Sequence, residues 1–379
     1  MKRILAGITM ATALVSCQPK GNQVKIALAI PLTGDIASLG QGIKRAVEMA
    51  IDEANKSGRL PTPVELVSFD DRSDPKEAVS VANRIVADKN VIGVIGHFNS
   101  GCSIPASSIY AQAHLPMLTP ASSNPALTDQ QLSPQWPWPK CIFRANTTDN
   151  VQGSYGADFV FKDLKLAKVG IIHDKTSYGQ GVAEEFRKEF LKIGGTVVSF
   201  EGLQTGDRDF RSLLTRVKST GPQALYFGGM FSEGGILVRQ ARDVGFAGPF
   251  VASEANYDPV FIKVAGGAAE GAYVTFLGSP PELLASAKDF VERYKIRYPQ
   301  MELKSYDHYG YEVASLLLDA LEHVGPKRDK IIAYLHAVKH KGVLGETVFD
   351  QKGDNLNKTI TLFTVNNGAF VPFISSKKR

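Results

Sequence analysis

The sequence has few cysteines, and they are not spaced as in a metal site. Cys17, Cys102 and Cys141 are the three cysteines among 379 residues, and none belongs to a C-x-x-C pair. The nearest other candidate for a metal site, His336 and His340 at helical spacing, has no acidic or thiol ligand beside it. We therefore interpret these two histidines as surface residues and predict neither a metal site nor a cofactor.

The sequence also lacks an excess of charge of one sign. Lysine and arginine number 43 and aspartate and glutamate 38, which gives a formal net charge of +5 at pH 7, and the basic residues are scattered. A nucleic-acid groove needs clustered basic residues, so no nucleic-acid partner is predicted. After residue 17, no segment stays apolar for the ~18 residues that a membrane-spanning helix requires.

Motifs of common enzyme classes are missing as well. Ser232 has Met230 where the G-x-S-x-G motif of hydrolases requires glycine, and no G-x-x-x-x-G-K-[ST] phosphate loop occurs. The segment YGQGVAEE places Gly179 and Gly181 at the start of a predicted helix, but the third glycine of a dinucleotide-binding loop is absent. We interpret that segment as a tight turn and predict that the protein is not an enzyme.

The N-terminus has the charged and then apolar composition of a secretory signal. Two basic residues precede an apolar stretch from Ile4 to Val15, which is too short to span a membrane. The stretch ends in LVSC, which is similar to a bacterial lipobox. This predicts a signal peptide over residues 1–16, a lipid on Cys17 and a flexible tether over 17–22. A plain signal peptide cleaved nearby is the alternative.

With Cys17 lipidated, Cys102 and Cys141 remain. An even pair of cysteines in an oxidising compartment can form a disulfide, so a Cys102–Cys141 bridge is possible on these grounds.

The body of the chain alternates short apolar runs with helical patterns. The run VKIALAI at 24–30 is followed by apolar residues at three- and four-residue steps, as one buried helix face requires: Leu39, Ile43, Ala46, Val47, Ala50, Ile51 and Ala54. The same alternation starts again near residue 151 with AKVGIIHD. Such alternation predicts parallel sheets covered by helices on both faces, arranged as two α/β halves.

Polar residues follow two neighbouring strands of the first half. Ser100 comes after a buried run, with Pro105 expected in the first turn of the next helix, and Ser123 comes after the following run, before Asn124 as a helix cap. A serine in either place is interpretable as a helix cap alone. Two such residues at the carboxyl ends of adjacent strands, beside free helical N–H groups, favour a ligand site that accepts an anionic group.

From residue 23 to the C-terminus, the chain resembles the leucine/isoleucine/valine-binding proteins, the type I periplasmic receptors of branched-chain amino acid ABC transporters. In family order, the matching segments are PLTGDIASLGQGIKRAVEMAIDEAN, DDRSDPKEAVSVANRIV, VIGHFNSGCSIPASSIY, TPASSNPALT, HDKTSYGQG, YFGGMFSEGGILVRQARDVGF and SEANYDP. The resemblance implies two doubly wound α/β lobes joined by a hinge of three crossovers. Lobe I would comprise residues 23–146 and 278–359, and lobe II residues 147–277 and 360–379.

The resemblance also implies a ligand site between the lobes. Ser100 would bond the α-carboxylate of an amino acid, Ala121 would offer its carbonyl to the ammonium group, and Ser123 would touch both ends. Tyr178 would close from the second lobe, and Glu254 would neutralise the ammonium. A zwitterion needs donors at one end and a carboxylate at the other, which is the chemistry that these residues offer.

The remaining positions implied by the resemblance concern the ligand's side chain. Ser122 would contribute mainly its backbone, and the side-chain pocket would be formed by Leu39, Phe98, Asn99 and Met230. Met230 stands where many members of the family have an aromatic residue, so the specificity is left open between branched-chain and other small uncharged amino acids.

By this resemblance, the protein is expected to be an extracytoplasmic receptor that delivers a free L-amino acid to an ABC permease and its ATPase. It would act as a monomer in the periplasm or at the cell surface, and a lipid anchor would be its sole attachment to the membrane. A sensor of amino acids or amides with the same fold, which signals to a partner protein, is the alternative that the sequence leaves open.

Overall fold

A computed structural model describes residues 24–373. The predicted signal peptide, Cys17 and the predicted tether lie outside the described residues. Within 24–373, no helix combines the length and the apolar character that crossing a membrane would need.

The first structural half is built mainly from residues 24–144, which form a parallel sheet of five strands. The strands are β1 (Val24–Ile30), β2 (Val64–Asp70), β3 (Val91–Gly96), β4 (Met117–Thr119) and β5 (Ile142–Arg144). Their order in the sheet is β2-β1-β3-β4-β5. The helices between them are α1 (Ala37–Ser57), α2 (Pro75–Ala87), α3 (Ser100–Gln112) and α4 (Ala126–Asp129).

Helices cover both faces of this sheet, as the sequence predicts. Successive side chains of a strand point to opposite faces. Along β1, Ile26 and Leu28 belong to the apolar cluster that includes α1, whereas Ala27 and Ala29 belong to the cluster that includes α2 and α3. The seven apolar residues predicted for the inner face of α1 are all buried.

The second structural half contains a larger, mixed sheet. The remaining strands are β6 (Lys168–His173), β7 (Thr196–Gly202), β8 (Ala224–Gly228), β9 (Phe250–Ala252), β10 (Tyr273–Leu277), β11 (His340–Gly342), β12 (Gly345–Thr347), β13 (Ile360–Asn366) and β14 (Ala369–Pro372). The sheet has the order β14-β13-β10-β9-β8-β6-β7, with β13 and β14 antiparallel to their neighbours and the other pairs parallel. Strands β11 and β12 form a separate hairpin.

Eight further helices accompany these strands in the described part of the chain. They are α5 (Asp149–Asp158), α6 (Gly179–Lys192), α7 (Arg211–Ser219), α8 (Phe231–Asp243), α9 (Pro259–Ala265), α10 (Lys288–Arg297), α11 (Asp307–Val324) and α12 (Arg328–Ala337). Helix α11 packs against α1 and β3 of the first sheet. The chain therefore crosses between the two halves three times: after β5, after β10 and before β13. This confirms the predicted fold of two α/β halves with three crossovers.

The possible disulfide between Cys102 and Cys141 is wrong for this structure, since both thiols are free and buried. Cys102 lies in the first turn of α3, beyond the carboxyl end of β3, whereas Cys141 precedes the amino end of β5. Strands β3 to β5 are parallel, so the two residues lie at opposite edges of the sheet. Burial raises the pKa of both thiols, that of Cys141 to about 12.

Two local predictions also differ from the structure. Helix α3 begins at Ser100, so Pro105 lies inside the helix and not in its first turn. Helix α12 ends at Ala337, so His336 and His340 do not share a helix. His340 is buried in β11 with its Nδ1 atom 2.7 Å from Asp319, and its interpretation as a surface residue is wrong.

Candidate functional site

A small cavity lies between the two halves, at the carboxyl ends of strands from both sheets. Its volume is about 20 Å³, and a volume of roughly 10–15 Å³ already holds one water molecule. The lining residues are Phe98, Asn99, Ser100, Ala121, Ser123, Tyr178, Met230, Glu254, Ala255 and Tyr306. Eight of these ten are positions that the sequence singles out.

The topology explains why these residues meet. The segments that carry Ser100 and Ser123 follow β3 and β4, and those that carry Tyr178, Met230 and Glu254 follow β6, β8 and β9. The carboxyl ends of parallel strands lie at one edge of a sheet, where open α/β sheets bind ligands. The two sheets present these edges to each other across the cavity.

A hydrogen bond joins the two segments that carry these serines. Ser100 begins α3, and its hydroxyl group accepts a hydrogen bond from the amide of Asn124 at 3.2 Å. The carbonyl of Ser123 accepts from the amide of Asp149 at 2.9 Å. The first amides of a helix have no partner within the helix. The start of α3 and the serine hydroxyls can therefore bind a carboxylate here.

Two predicted residues lie outside the cavity lining. The Ser122 hydroxyl group donates to the carbonyls of His97 and Phe98 at 3.1 and 2.9 Å, so it is turned toward the backbone after β3. Leu39 is buried on the inner face of α1 and does not line the small cavity, so its place in the side-chain pocket stays a prediction.

Glu254 presents a buried carboxylate to the cavity. It is 4% exposed, its Oε2 atom accepts from the Tyr178 hydroxyl group at 2.6 Å, and its amide donates to Gln152 Oε1 at 2.8 Å. Burial raises the pKa of Glu254 to about 7, although hydrogen bonds from Tyr178, Gln152 and Tyr306 act to lower it. This carboxylate is thus held where a cationic group would stabilise its charge.

The rest of the lining is mainly apolar. The rings of Phe98 and Tyr306 pack edge to face with centroids 5.0 Å apart, and Met230 and Ala255 complete this part of the wall. Tyr306 and Ala255 were not predicted. Tyr306 precedes α11, in a segment that contains none of the motifs singled out in the sequence, whereas Ala255 adjoins Glu254.

Arg144 holds the segment from Ser122 to Asn124 in place. Its side chain is fully buried; Nε lies 2.9 Å from Asp354 Oδ1, and Nη1 donates to the carbonyls of Ser122 and Asn124 at 3.0 and 2.9 Å. Nη2 donates to the Thr128 hydroxyl group at 2.7 Å. Arg144 therefore fixes both ends of the segment that carries Ser123. The sequence signal for this role is an arginine directly after the apolar residues of a buried strand.

The two halves touch beside the cavity. Asn124 Nδ2 donates to the carbonyl of Ser177 at 2.6 Å, and the Ser305 hydroxyl group donates to the carbonyl of Tyr257 at 3.0 Å. Gly181 permits this approach, because a Cβ atom there would lie 2.6 Å from Asn124 Nδ2. The structure therefore shows the halves closed on each other.

A wider outer cavity of about 400 Å³ continues the cleft. It shares Asn99 and Met230 with the small cavity, and most of the residues that line it have polar or charged side chains. Among residues 24–373, no group of three or more His, Cys, Asp or Glu side chains is placed to hold a metal ion.

Comparisons with known proteins relate the chain to one family. The family described as "Periplasmic binding protein" matches residues 23–369. Leu/Ile/Val-binding protein homolog 2 of Brucella abortus is 34% identical over 372 residues, which are 97% of this chain and 97% of that protein.

Two solved structures show the same likeness. The leucine-binding protein LivK of Thermotoga maritima has a TM-score of 0.84 at 32% identity, covering 93% of this chain and 98% of that one. LivJ of Streptococcus pneumoniae, in complex with isoleucine, has a TM-score of 0.79 at 26% identity, covering 92% of this chain and 97% of that one.

Replacing Arg144 by Met should destabilise the fold strongly. It removes the buried guanidinium partner of Asp354, which keeps the partly exposed Lys352 ammonium at 3.2 Å as its cationic partner, and the loss of one member of a buried pair costs roughly 3–5 kcal/mol. Denaturant unfolding measures this loss. Lys25→Met is the matched control, since Lys25 pairs with Asp88 at 2.9 Å with both side chains partly exposed, and such a pair contributes about 0–1 kcal/mol. Equal losses in the two variants would contradict the supporting role of Arg144.

Proposed function

The chain belongs to the periplasmic binding protein family, and on that basis we propose that it is a receptor that clamps a free L-amino acid with an uncharged side chain and delivers it to an ABC permease. The family comprises solute-binding proteins of branched-chain amino acid ABC transporters, not enzymes, and its location is extracytoplasmic. Glu254 carries the proposal, because it is a buried carboxylate in the same cavity as two buried serines.

The ends of the cavity match the two charges of an amino acid. Ser100, Ser123 and the first amides of α3 would bind the α-carboxylate. Glu254 and the carbonyl of Ala121 would bind the ammonium group. That carbonyl already accepts from Asn146 Nδ2 at 2.7 Å, but a carbonyl oxygen has two lone pairs and can accept a second hydrogen bond.

The apolar wall supports an uncharged side chain. Phe98, Met230 and Tyr306 offer aromatic and aliphatic surface, and none of them carries a charge that could pair with a lysine, arginine, aspartate or glutamate side chain. The isoleucine complex of LivJ supports a branched-chain ligand by analogy. The buried Oδ1 atom of Asn99 has no hydrogen-bond partner among residues 24–373, so alanine, serine and threonine compete with leucine, isoleucine and valine as ligands.

Binding is proposed to close a hinge. A cavity of about 20 Å³ is too small to admit an amino acid without movement. Lobe I (23–146 and 278–359) and lobe II (147–277 and 360–379) would rotate about the three crossovers, so that the ligand enters an open cleft and contacts both lobes once it closes.

The attachment to the membrane is proposed from the N-terminal sequence. Cys17 in the lipobox-like segment would be the first residue of the mature protein and would carry two or three acyl chains. Two chains hold a soluble domain at a membrane stably, whereas one is marginal.

Replacing Glu254 by Gln should weaken amino acid binding by about a hundred- to several-thousand-fold. The ammonium group would then lose the carboxylate that lines the small cavity, and the loss of one partner of a buried pair costs roughly 3–5 kcal/mol. Calorimetry of leucine, isoleucine and valine binding measures the change. Glu233→Gln is the matched control, since Glu233 is also buried in the second half but does not line the small cavity.

The same carboxylate should reject ligands that lack the amino group. Wild-type protein should bind 4-methylpentanoate far more weakly than leucine, because Glu254 would be left unpaired. Tight binding of 4-methylpentanoate, or an unweakened Glu254→Gln variant, would contradict the amino acid proposal and favour amides or carboxylic acids as ligands.

A saturating amino acid should reduce the radius of gyration of the protein. Closure brings the two lobes together, and X-ray scattering in solution detects the change. Scattering curves that coincide with and without the ligand would argue against a hinge.

The variant Cys17→Ser should be released from the membrane fraction, because it lacks the residue that carries the acyl chains. Fractionation of cells that express the variant or the wild type measures this. An intact mass of the native protein that corresponds to an unmodified N-terminus would rule out the anchor.

A further inference from the structure

Asp149 is a second buried carboxylate next to the small cavity. It is the first residue of α5, it is 0% exposed, and its amide donates to the Ser123 carbonyl at 2.9 Å. Neither of its carboxylate oxygens has a hydrogen-bond partner of ordinary geometry among the described residues. Burying a carboxylate without hydrogen bonds costs free energy of folding, so the presence of Asp149 here requires an explanation.

Other buried polar atoms without partners lie around Asp149. Gln152 follows one turn later on the same face of α5. Its Oε1 atom accepts from the amide of Glu254 at 2.8 Å, while its buried Nε2 atom lies near the Glu254 carboxylate and makes no hydrogen bond of ordinary geometry in the described part of the chain. The hydroxyl group of Tyr226 is likewise buried without a hydrogen-bond partner among the described residues. The first turn of α5 therefore directs polar side chains toward the rear of Glu254.

The charged groups that act on Asp149 come from three other elements. Glu254 after β9 and Glu185 on α6 are like charges, and Arg144 on β5 is an opposite charge; the Ser123 hydroxyl group after β4 lies nearby without the ordinary geometry of a hydrogen bond. Arg144 already pairs with Asp354. Burial, and next the charge of Glu254, raise the pKa of Asp149 well above its ordinary value.

Three tyrosine hydroxyl groups face the same space. The charges of both Glu254 and Asp149 act on Tyr178, Tyr226 and Tyr306, and burial together with these charges raises the pKa of each phenol. All three tyrosines stay neutral at ordinary pH, so the carboxylates are the groups near the cavity that titrate.

We infer that Asp149 and Glu254 share one proton in the free site, and that amino acid binding, which places an ammonium group at Glu254, releases this proton. The inference rests on the proposed function. Two carboxylates buried in one site cannot both ionise easily, so the free site holds a proton. Arrival of the ammonium favours the ionised pair. The carboxylic O–H bond breaks, its proton passes to the solvent, and the ammonium keeps its own three protons.

The sign of the pH dependence follows from this release. Because the site must lose a proton to bind the ligand, affinity falls as the pH decreases, by about tenfold per pH unit for one proton. In the free wild-type site the shared proton lies on Asp149, whose pKa burial and the charge of Glu254 raise well above its ordinary value, so the decline already operates above the pKa of Glu254, which is about 7. Asp149→Asn lacks this proton, so its decline should begin only near the pKa of Glu254 and thus at lower pH than in the wild type.

The test is calorimetry of leucine, isoleucine or valine binding in buffers of different ionisation enthalpy, from about pH 5.5 to about pH 7.5. Near pH 7.5, wild-type protein should release about one proton per ligand, and Asp149→Asn should release less. The loss of affinity across this range should be at least about tenfold smaller in Asp149→Asn than in the wild type. Asp158→Asn is the matched control, since Asp158 ends the same helix, is partly exposed and pairs with Lys162; it should behave as the wild type does.

The outcomes separate the inference from the proposed function. If none of these amino acids binds to the wild type, the proposed function and the inference both fall. If they bind, but Asp149→Asn keeps the proton release and the pH profile of the wild type, the inference alone is overturned.

A second variant covers the case in which Asp149→Asn does not fold. In Glu254→Gln, Asp149 is the remaining carboxylate, so the residual binding should still weaken at acidic pH. Residual binding that is independent of pH would overturn the inference.

Discussion

The burial of Glu254 between the two halves is the constraint on which the site depends. A carboxylate removed from water is stable only if it is hydrogen-bonded, paired with a cation or protonated. The Tyr178 hydroxyl group and nearby polar groups supply part of this stabilisation, and the raised pKa shows that part is still missing. A ligand ammonium would supply the remainder. The buried Glu254 carboxylate lacks a cationic partner among the described residues of the free site. A ligand with an amino group would supply that partner, and a ligand without one would not.

The two ends of the proposed ligand are held by different halves of the protein. The carboxylate would be bound by Ser100 and Ser123, whose segments are fixed by the first sheet and by the buried pair of Arg144 and Asp354. The ammonium would be bound mainly by Glu254 from the second sheet. In this proposal a single small molecule would link the halves through its two charges, and lobe closure would follow from binding without any need for a large contact surface.

Much of the architecture could be predicted from the sequence because it depends on local patterns. The three- and four-residue steps of α1, and serines at the ends of adjacent strands, lead directly to a helix face and to one edge of a sheet. Tyr306 and Asp149 could not be found in this way, since Asp149 follows the first crossover and Tyr306 precedes α11, where no periodic pattern indicates a neighbour. The Cys102–Cys141 pairing was proposed from cysteine number alone, and the parallel direction of β3 to β5 places the two thiols at opposite edges. Leu39 was assigned to the pocket from the resemblance, and in the structure it is buried on α1 outside the cavity lining.

The central claim is that the cleft binds a free amino acid through both of its charged ends. Mass spectrometry of the small molecule released from protein purified in native form, without refolding, tests it most directly. We expect a free α-amino acid with an uncharged side chain, at about one molecule per protein chain. A released compound that lacks an α-amino group, such as a carboxylic acid or an amide, would contradict the account.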